Sequence, residues 1–126
     1  MRKTNKKIAG LLLIVMCLFI AINAFAITVT ISRSYRVGPD SIREGVINFD
    51  SSYPTGGESF PAVSANLQSI RWMDIRPIKS GNTLKVFRYE KTSSAIQVFE
   101  SSTGLEVTNG SDISNLTDVW FRATGY

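Results

Sequence analysis

Histidine is absent from this 126-residue sequence, and its only cysteine is Cys17, inside a hydrophobic N-terminal run. The chain therefore lacks the imidazole base that serine and cysteine nucleophiles normally need, and beyond that run it also lacks a thiolate. No disulfide framework can form, and the soft ligands that zinc prefers are missing. We therefore expect a protein that is not an enzyme and that has no cofactor and no metal site.

An excess of charge is likewise missing from most of the chain. The formal net charge is +4, and Arg2, Lys3, Lys6 and Lys7 supply all of it, because the ten later basic residues balance the ten acidic ones. A nucleic-acid-binding protein usually carries a basic patch on its folded part. The near-neutral remainder therefore predicts no nucleic acid partner.

The first 26 residues contain the three parts of a secretory signal peptide in the expected order. A charged start precedes the uncharged, Leu/Ile-rich segment 8–22, and Ala24 and Ala26 occupy the −3 and −1 positions of a predicted cut after Ala26. An uncleaved hydrophobic helix that anchors the chain is the alternative, since about 20 apolar residues span a bilayer. A start codon set too early is a third account. We expect a signal peptide or membrane anchor over 1–26 and one domain over 27–126.

Short segments of alternating or β-branched character follow, at spacings of roughly ten residues, as in all-β domains. In the first, Ile27, Val29 and Ile31 alternate with polar residues, and the alternation extends through Tyr35 and Val37. The predicted strands are 27–37, 46–49, 70–75 (within 67–78), 84–89, 95–99, 104–107 and 119–123. Single helical turns are predicted at 64–67, capped by Ser64, and at 113–116, beginning at Ser111 or Asp112. The pattern predicts an all-β fold, an antiparallel β-sandwich or small barrel of about seven strands.

Carboxylates are the only remaining candidates for catalysis, because glycosidases use two acids at a defined separation. Asp74, Glu90, Glu100 and Glu106 are scattered over predicted strand edges and turns, which favours solvated surface charge. A hydrolase that uses them is the weakest of the hypotheses that we carry forward.

The aromatic residues mostly alternate within predicted strands, which favours core packing. Trp120 and Phe121 are neighbours in one predicted strand, so their side chains must point to opposite faces. One of the two is expected to face outward or into a subunit contact. We take Trp120 and the C-terminal Tyr126 as the candidate contact aromatics.

Four short motifs lie between residues 49 and 126. They are the turn Tyr53, Pro54, Thr55, Gly56 and Gly57; an aromatic hairpin at 86–89 and 96–99; a Glu-Val, Asn-Gly, Asp-Ile-Ser path over 106–114; and a Gly125-Tyr126 terminus. With these motifs the segment resembles small tailed-phage virion proteins of the capsid decoration, or cement, type. The resemblance implies a β-sandwich without catalytic residues that sits on a capsid shell, often as a trimer.

The N-terminal leader does not fit a virion protein that assembles in the cytoplasm. Three accounts of this conflict are open: the start codon is set too early, the protein is an exported copy of a phage protein, or the resemblance is false. The leading hypothesis is a non-enzymatic contact module, a homo-oligomer located in the virion. The alternative is an exported binding module for glycan or protein, secreted, periplasmic or membrane-anchored through 1–26.

Overall fold

The computed structural model describes residues 27–126; the predicted signal peptide or anchor helix, with Cys17, Ala24 and Ala26, lies outside the described residues. Within 27–126 the chain forms eight strands and one 3-10 turn at Ala62–Ala65. The strands are β1 Thr28–Val37, β2 Asp40–Asn48, β3 Glu58–Ser59, β4 Ile70–Ile75, β5 Ile78–Ser80, β6 Thr83–Glu90, β7 Ala95–Glu100 and β8 Val119–Gly125. The prediction of an all-β fold is confirmed. In the same range no helix is long and apolar enough to cross a membrane.

The strands form two antiparallel sheets of four. The first sheet has the order β1-β2-β8-β4 and the second the order β3-β7-β6-β5. Ile47 and Phe121 from the first sheet share one apolar cluster with Ile96 and Val98 from the second, and all four are fully buried. Since burying one such side chain contributes about 1.5–3 kcal/mol, this shared cluster is the main source of stability.

A β-bulge in β1 decides which side chains reach the outside of the first sheet. Ile31 pairs with Gly45 of β2, but Arg33 pairs with Glu44, so Ser32 is one extra residue. The bulge resets the alternation, and Tyr35 therefore does not continue the core-facing row of Ile31, contrary to the sequence prediction. The prediction failed because the pattern of β-branched and aromatic residues does not reveal an inserted residue.

Several local predictions need correction. The segment 104–107 is not a strand but makes one isolated bridge, Glu106 with Phe99, because its chain turns away after Val107. The helical turn near 64–67 lies at Ala62–Ala65 and is preceded by Pro61 rather than capped by Ser64. The segment 113–116 does form one turn, in which the Leu116 N–H donates to the Ile113 carbonyl at 2.9 Å.

Candidate functional site

The outer face of the first sheet carries the polar and aromatic side chains that its inner face excludes. In β8, Val119, Phe121 and Ala123 are buried in the core, whereas the alternating residues Trp120 and Arg122 are half-buried. Because paired residues of neighbouring strands share a face, Glu44 of β2 and Asp74 of β4 lie on either side of Arg122. We call this surface the outer face.

A partly buried ion pair, Glu44 with Arg122, lies on the outer face. Glu44 is only 6 % exposed, and its Oε1 accepts hydrogen bonds from Arg122 Nε at 2.7 Å and from the Tyr35 hydroxyl at 3.0 Å. The Arg122 hydrogen bond lowers the pKa of the Glu44 carboxyl, and the Tyr35 hydroxyl acts in the same direction against the effect of burial. The same contact raises the pKa of Arg122. Glu44 is therefore an ionised group whose charge is compensated within the fold.

Two arginines lie over the Trp120 indole. The Arg76 guanidinium carbon is 4.2 Å from the ring centroid and that of Arg122 is 5.5 Å from it. Arg76 follows β4, where its N–H donates to the Trp120 carbonyl at 3.0 Å, so the backbone itself places the two side chains next to each other. A guanidinium over an indole gains cation–π energy of about 0.5–2 kcal/mol and loses rotamer freedom. Trp120 thus holds Arg76 in a fixed position.

The outer face is concave at this point. A depression of about 550 Å³ is lined by Ser32, Arg33, Tyr35, Glu44, Arg76, Trp120 and Arg122. Among residues 27–126, neither Arg33 nor Arg76 forms an ion pair with a carboxylate. Outside the lining of the depression, but on the same face of the sheet, Val37 and Trp72 are exposed apolar side chains, at 59 % and 54 %. The site therefore combines two guanidinium groups that have no ion-pair partner among residues 27–126 with exposed apolar side chains farther along the same face.

The turn motif over 53–57 makes structural contacts and does not line the depression. Tyr53 is fully buried, its hydroxyl donates to Glu106 Oε1 at 2.6 Å, and the same hydroxyl accepts from the Val98 N–H at 3.0 Å. Burial, and next the hydrogen bond to Glu106, hold the pKa of the Tyr53 phenol well above its usual range. Tyr53 therefore locks the motif to both the second sheet and the loop that holds Glu106.

The two glycines of the motif take part in the same set of contacts. The Gly56 N–H donates to Glu106 Oε1 at 3.0 Å. Gly57 has a φ of +105°, and a Cβ there would lie 2.6 Å from the Ile96 carbonyl oxygen. Pro54 and Thr55 are exposed, and the Thr55 N–H donates to Asn109 Oδ1. Two segments that the sequence analysis singled out separately, 53–57 and 106–110, thus form one loop pair.

A buried carboxylate follows the motif at the start of β3. Glu58 is 3 % exposed, and its Oε1 has no hydrogen-bond partner within the described range 27–126. Burial raises the pKa of Glu58 to about 7, and the negative charge of Asp50 adds to this effect. Asp50 also has one buried oxygen, Oδ2, without a partner in that range. Glu58 is therefore a titratable group that destabilises the fold when ionised.

The other candidate residues from the sequence lie apart from the depression. Tyr126 is 54 % exposed, and the Arg71 guanidinium lies 5.4 Å from its ring. Glu100 and Glu106 line a smaller depression of about 210 Å³, but Lys85 pairs with Glu100, and Tyr53 and Gly56 bond to Glu106. Ala24 and Ala26 lie outside the described residues.

Sequence reasoning identified Trp120 but missed Arg33, Glu44, Arg76 and Arg122. Arg33, Glu44 and Arg122 come from β1, β2 and β8, and Arg76 directly follows β4. Only the register of these four strands brings them together. No local signal marked Glu44, because it lies between Arg43 and Gly45 and before the predicted strand 46–49.

Comparison with known proteins finds no match: no protein-family model, no characterised protein and no solved structure resembles this chain closely enough to assign it. The resemblance to decoration proteins therefore stays a prediction based on short motifs.

Proposed function

We propose that this protein is a non-enzymatic contact module of the capsid decoration type, which binds a protein surface through its outer face. The observation that carries the proposal is the Arg76 guanidinium, 4.2 Å from the centroid of the Trp120 ring and beside Arg122, in a concave surface. Tryptophan, tyrosine and arginine are the residues that most often dominate the binding energy of protein interfaces.

The edges of the first sheet favour contact through its face. The edge strands β1 and β4 each contain a bulge, at Ser32 and at Arg71, where the register shifts. Bulges disrupt the row of backbone groups that a partner strand would need. Exposed Tyr35, Val37 and Trp72 remain as apolar contact area around the arginines.

A lattice of identical subunits is the partner that the decoration-type resemblance implies, with the protein itself as a homo-oligomer, a trimer in the favoured form. Self-association would add buried apolar area to a small domain, whose own core is modest. Size-exclusion chromatography with light scattering tests this part directly. A trimer supports the proposal, whereas a strict monomer at every concentration contradicts the oligomeric part.

Co-sedimentation with capsid shells tests the contact function. Shells of the phage or prophage whose genome carries this gene are mixed with the purified protein and separated on a density gradient. We expect the wild-type protein to travel with the shells and a Trp72→Ala/Arg76→Ala variant to stay at the top. Wild-type protein that stays at the top would contradict the proposal.

The N-terminal leader favours a second candidate function, an exported module that binds a protein or glycan ligand at the cell surface or in the periplasm. This candidate is supported by three features in the order typical of a signal peptide: a charged start, the apolar segment 8–22, and small residues at Ala24 and Ala26. N-terminal sequencing after cell fractionation separates the two candidates. A mature terminus at Ile27 outside the cytoplasm, or an unprocessed protein in the membrane fraction, supports export. A protein found in the cytoplasm supports the decoration-type function.

A further inference from the structure

We propose that the depression on the outer face binds carboxylate side chains of an acidic segment of the partner protein, with Arg33 and Arg76 as the binding residues. The inference rests on the proposed function only in taking the partner to be a protein. It adds the chemistry that the partner must present, and it applies to a capsid lattice and to a protein ligand of an exported module alike.

The charges of the outer face leave two guanidinium groups for a ligand. Glu44 is compensated by Arg122 and Tyr35. Arg122 in turn lies between Glu44 and Asp74, and both carboxylates interact favourably with it. Arg33 and Arg76 line the depression without an ion pair among residues 27–126. Arg33 also interacts with Glu44 through its charge, although the two form no ion pair. The guanidinium groups of Arg33, Arg76 and Arg122 still outnumber the neighbouring carboxylates of Glu44 and Asp74, so an anionic group in the depression would meet net positive charge.

The geometry of these groups favours a carboxylate. A guanidinium presents two parallel N–H donors that match the two oxygens of a carboxylate, which gives a strong, directional contact. The Arg76 side chain already lies over Trp120 before a ligand binds. Binding therefore restricts few further rotamers of Arg76, and the conformational-entropy cost that weakens affinity is small. Arg33 reaches the same depression from β1 because the bulge at Ser32 turns it to the outer face.

The covered indole argues against a sugar ring as the ligand. A sugar that stacks on tryptophan needs a free ring face, but two guanidinium groups lie 4.2 Å and 5.5 Å from the Trp120 ring centroid. The volume of about 550 Å³ exceeds what one carboxylate needs and accommodates several residues of a segment that crosses the strands. Trp72 and Val37, which are exposed on the same face, offer apolar area for the aliphatic parts of such a segment.

Isothermal titration calorimetry with a hexaglutamate peptide tests the proposal on the purified protein. We expect binding that weakens as salt is raised, because the charges are solvent-accessible. Arg76→Gln and Arg33→Gln should each weaken binding about tenfold or more, since a charged hydrogen-bonded contact is lost. Arg76→Lys should recover only part of the affinity, because lysine keeps the charge but loses the paired donors.

Arg88→Gln is the matched control. Arg88 also stacks on an aromatic ring, with its guanidinium carbon 5.1 Å from the Phe99 centroid, but it belongs to β6 of the second sheet. Its replacement should leave hexaglutamate binding unchanged, and hexaglutamine should not bind to any variant. Circular dichroism spectra and thermal unfolding verify that each variant is folded.

Three results would overturn the proposal: no hexaglutamate binding, an equal loss in Arg88→Gln, or tighter binding of an oligogalacturonate or of free glutarate than of the peptide. The last result would reassign the site to an acidic sugar or a small acid. Failure of the proposed function is a separate outcome, because peptide binding at Arg76 without co-sedimentation would exclude the capsid as partner while the carboxylate site stands.

Discussion

The hydroxyl of Tyr53 lies 2.6 Å from Glu106 Oε1, although the two residues are 53 positions apart in the chain. The same hydroxyl accepts the Val98 N–H, so one phenol oxygen joins the turn motif, a loop and β7. This contact explains why the two short motifs at 53–57 and 106–110 occur in the same sequence: they form the two halves of one loop pair.

Replacement of Tyr53 by phenylalanine tests how much these two hydrogen bonds of the Tyr53 hydroxyl stabilise the fold. The Val98 N–H and the Glu106 carboxylate would both lose a partner in a buried place, which costs about 1–3 kcal/mol of unfolding free energy. Urea denaturation measures the change. Tyr89→Phe is the control, because the Tyr89 ring packs edge-on against Phe60 and its hydroxyl has no hydrogen bond among residues 27–126. An equal effect of both substitutions would contradict the role assigned to Tyr53.

Replacement of Gly45 by alanine tests the bulge that builds the outer face. A Cβ at Gly45 would lie 2.1 Å from the Thr30 carbonyl oxygen, so β1 has to move away from β2. We expect a loss of about 1–3 kcal/mol in unfolding free energy or more, as for other overpacked positions. The NMR signals of Tyr35 and Arg122 should shift as well, since their contacts to Glu44 depend on this register.

Gly81→Ala is the control for the bulge. Gly81 has a φ of +60°, and a Cβ there meets nothing within 4 Å, so the substitution introduces only backbone strain. We expect a loss of about 1 kcal/mol and unchanged Tyr35 and Arg122 signals. A Gly45→Ala variant as stable as Gly81→Ala would show that β1 and β2 do not approach as closely as described.

The buried Glu58 predicts a stability that falls as the pH rises. The folded protein holds the Glu58 proton up to a pKa of about 7, whereas the unfolded chain releases it near 4.5. Between these values the folded state binds more protons, so its stability decreases with pH and levels off above about 7, with a total change of roughly 3 kcal/mol. Urea denaturation at about pH 5 and about pH 8 measures this change.

Glu58→Gln should abolish most of that pH dependence, because glutamine is neutral at every pH. We expect the variant to be more stable than the wild type at about pH 8 and similar to it at about pH 5. Glu90→Gln, at the end of β6, is the matched control and should keep the wild-type profile. If the unfolding free energy changes with pH equally in the wild type and in Glu58→Gln, ionisation of Glu58 is not the cause of the pH dependence.

For Glu44 we expect the opposite dependence, a folding stability that rises with pH in the acid range. Its folded pKa lies below the ordinary value of 4.5, so the contribution of the Glu44–Arg122 pair is present above that value and is lost as the pH falls through the folded pKa. Glu44→Gln should therefore lower the thermal midpoint at neutral pH and have a smaller effect at an acid pH below the folded pKa of Glu44. A variant with the same deficit at both pH values would contradict an ionised Glu44.

The sequence predicted the all-β class because alternation survives in the long strands β1, β6, β7 and β8. It missed β3 and β5, which have two and three residues and too little pattern to recognise. Its strand 46–49 covered only the end of β2, because the segment 40–45 contains Asp, Arg, Glu and Gly rather than a β-branched run. The 104–107 segment has a strand-like composition, but its backbone pairs with Phe99 at one position only. Local composition thus predicted the type of element, whereas pairing decided which segments became strands.

The candidate site was less predictable than the fold. Arg76 lies 44 positions from Trp120, and its contact depends on the pairing of β4 with β8, which no local pattern encodes. Arg33 and Tyr35 reach the outer face only because of the bulge at Ser32. Trp120 was identified because two adjacent aromatic residues in a strand must face opposite ways.

Site-specific photo-crosslinking tests the central claim, contact through the outer face, most directly. A photoreactive amino acid replaces Trp72 on the outer face or, as control, Leu105, which is 68 % exposed in the loop after β7. The protein is expressed in the cells that carry its gene, and the adducts are identified by mass spectrometry. We predict one dominant adduct from position 72, lost with Arg76→Gln, and none from position 105; adducts from 105 alone would contradict the account.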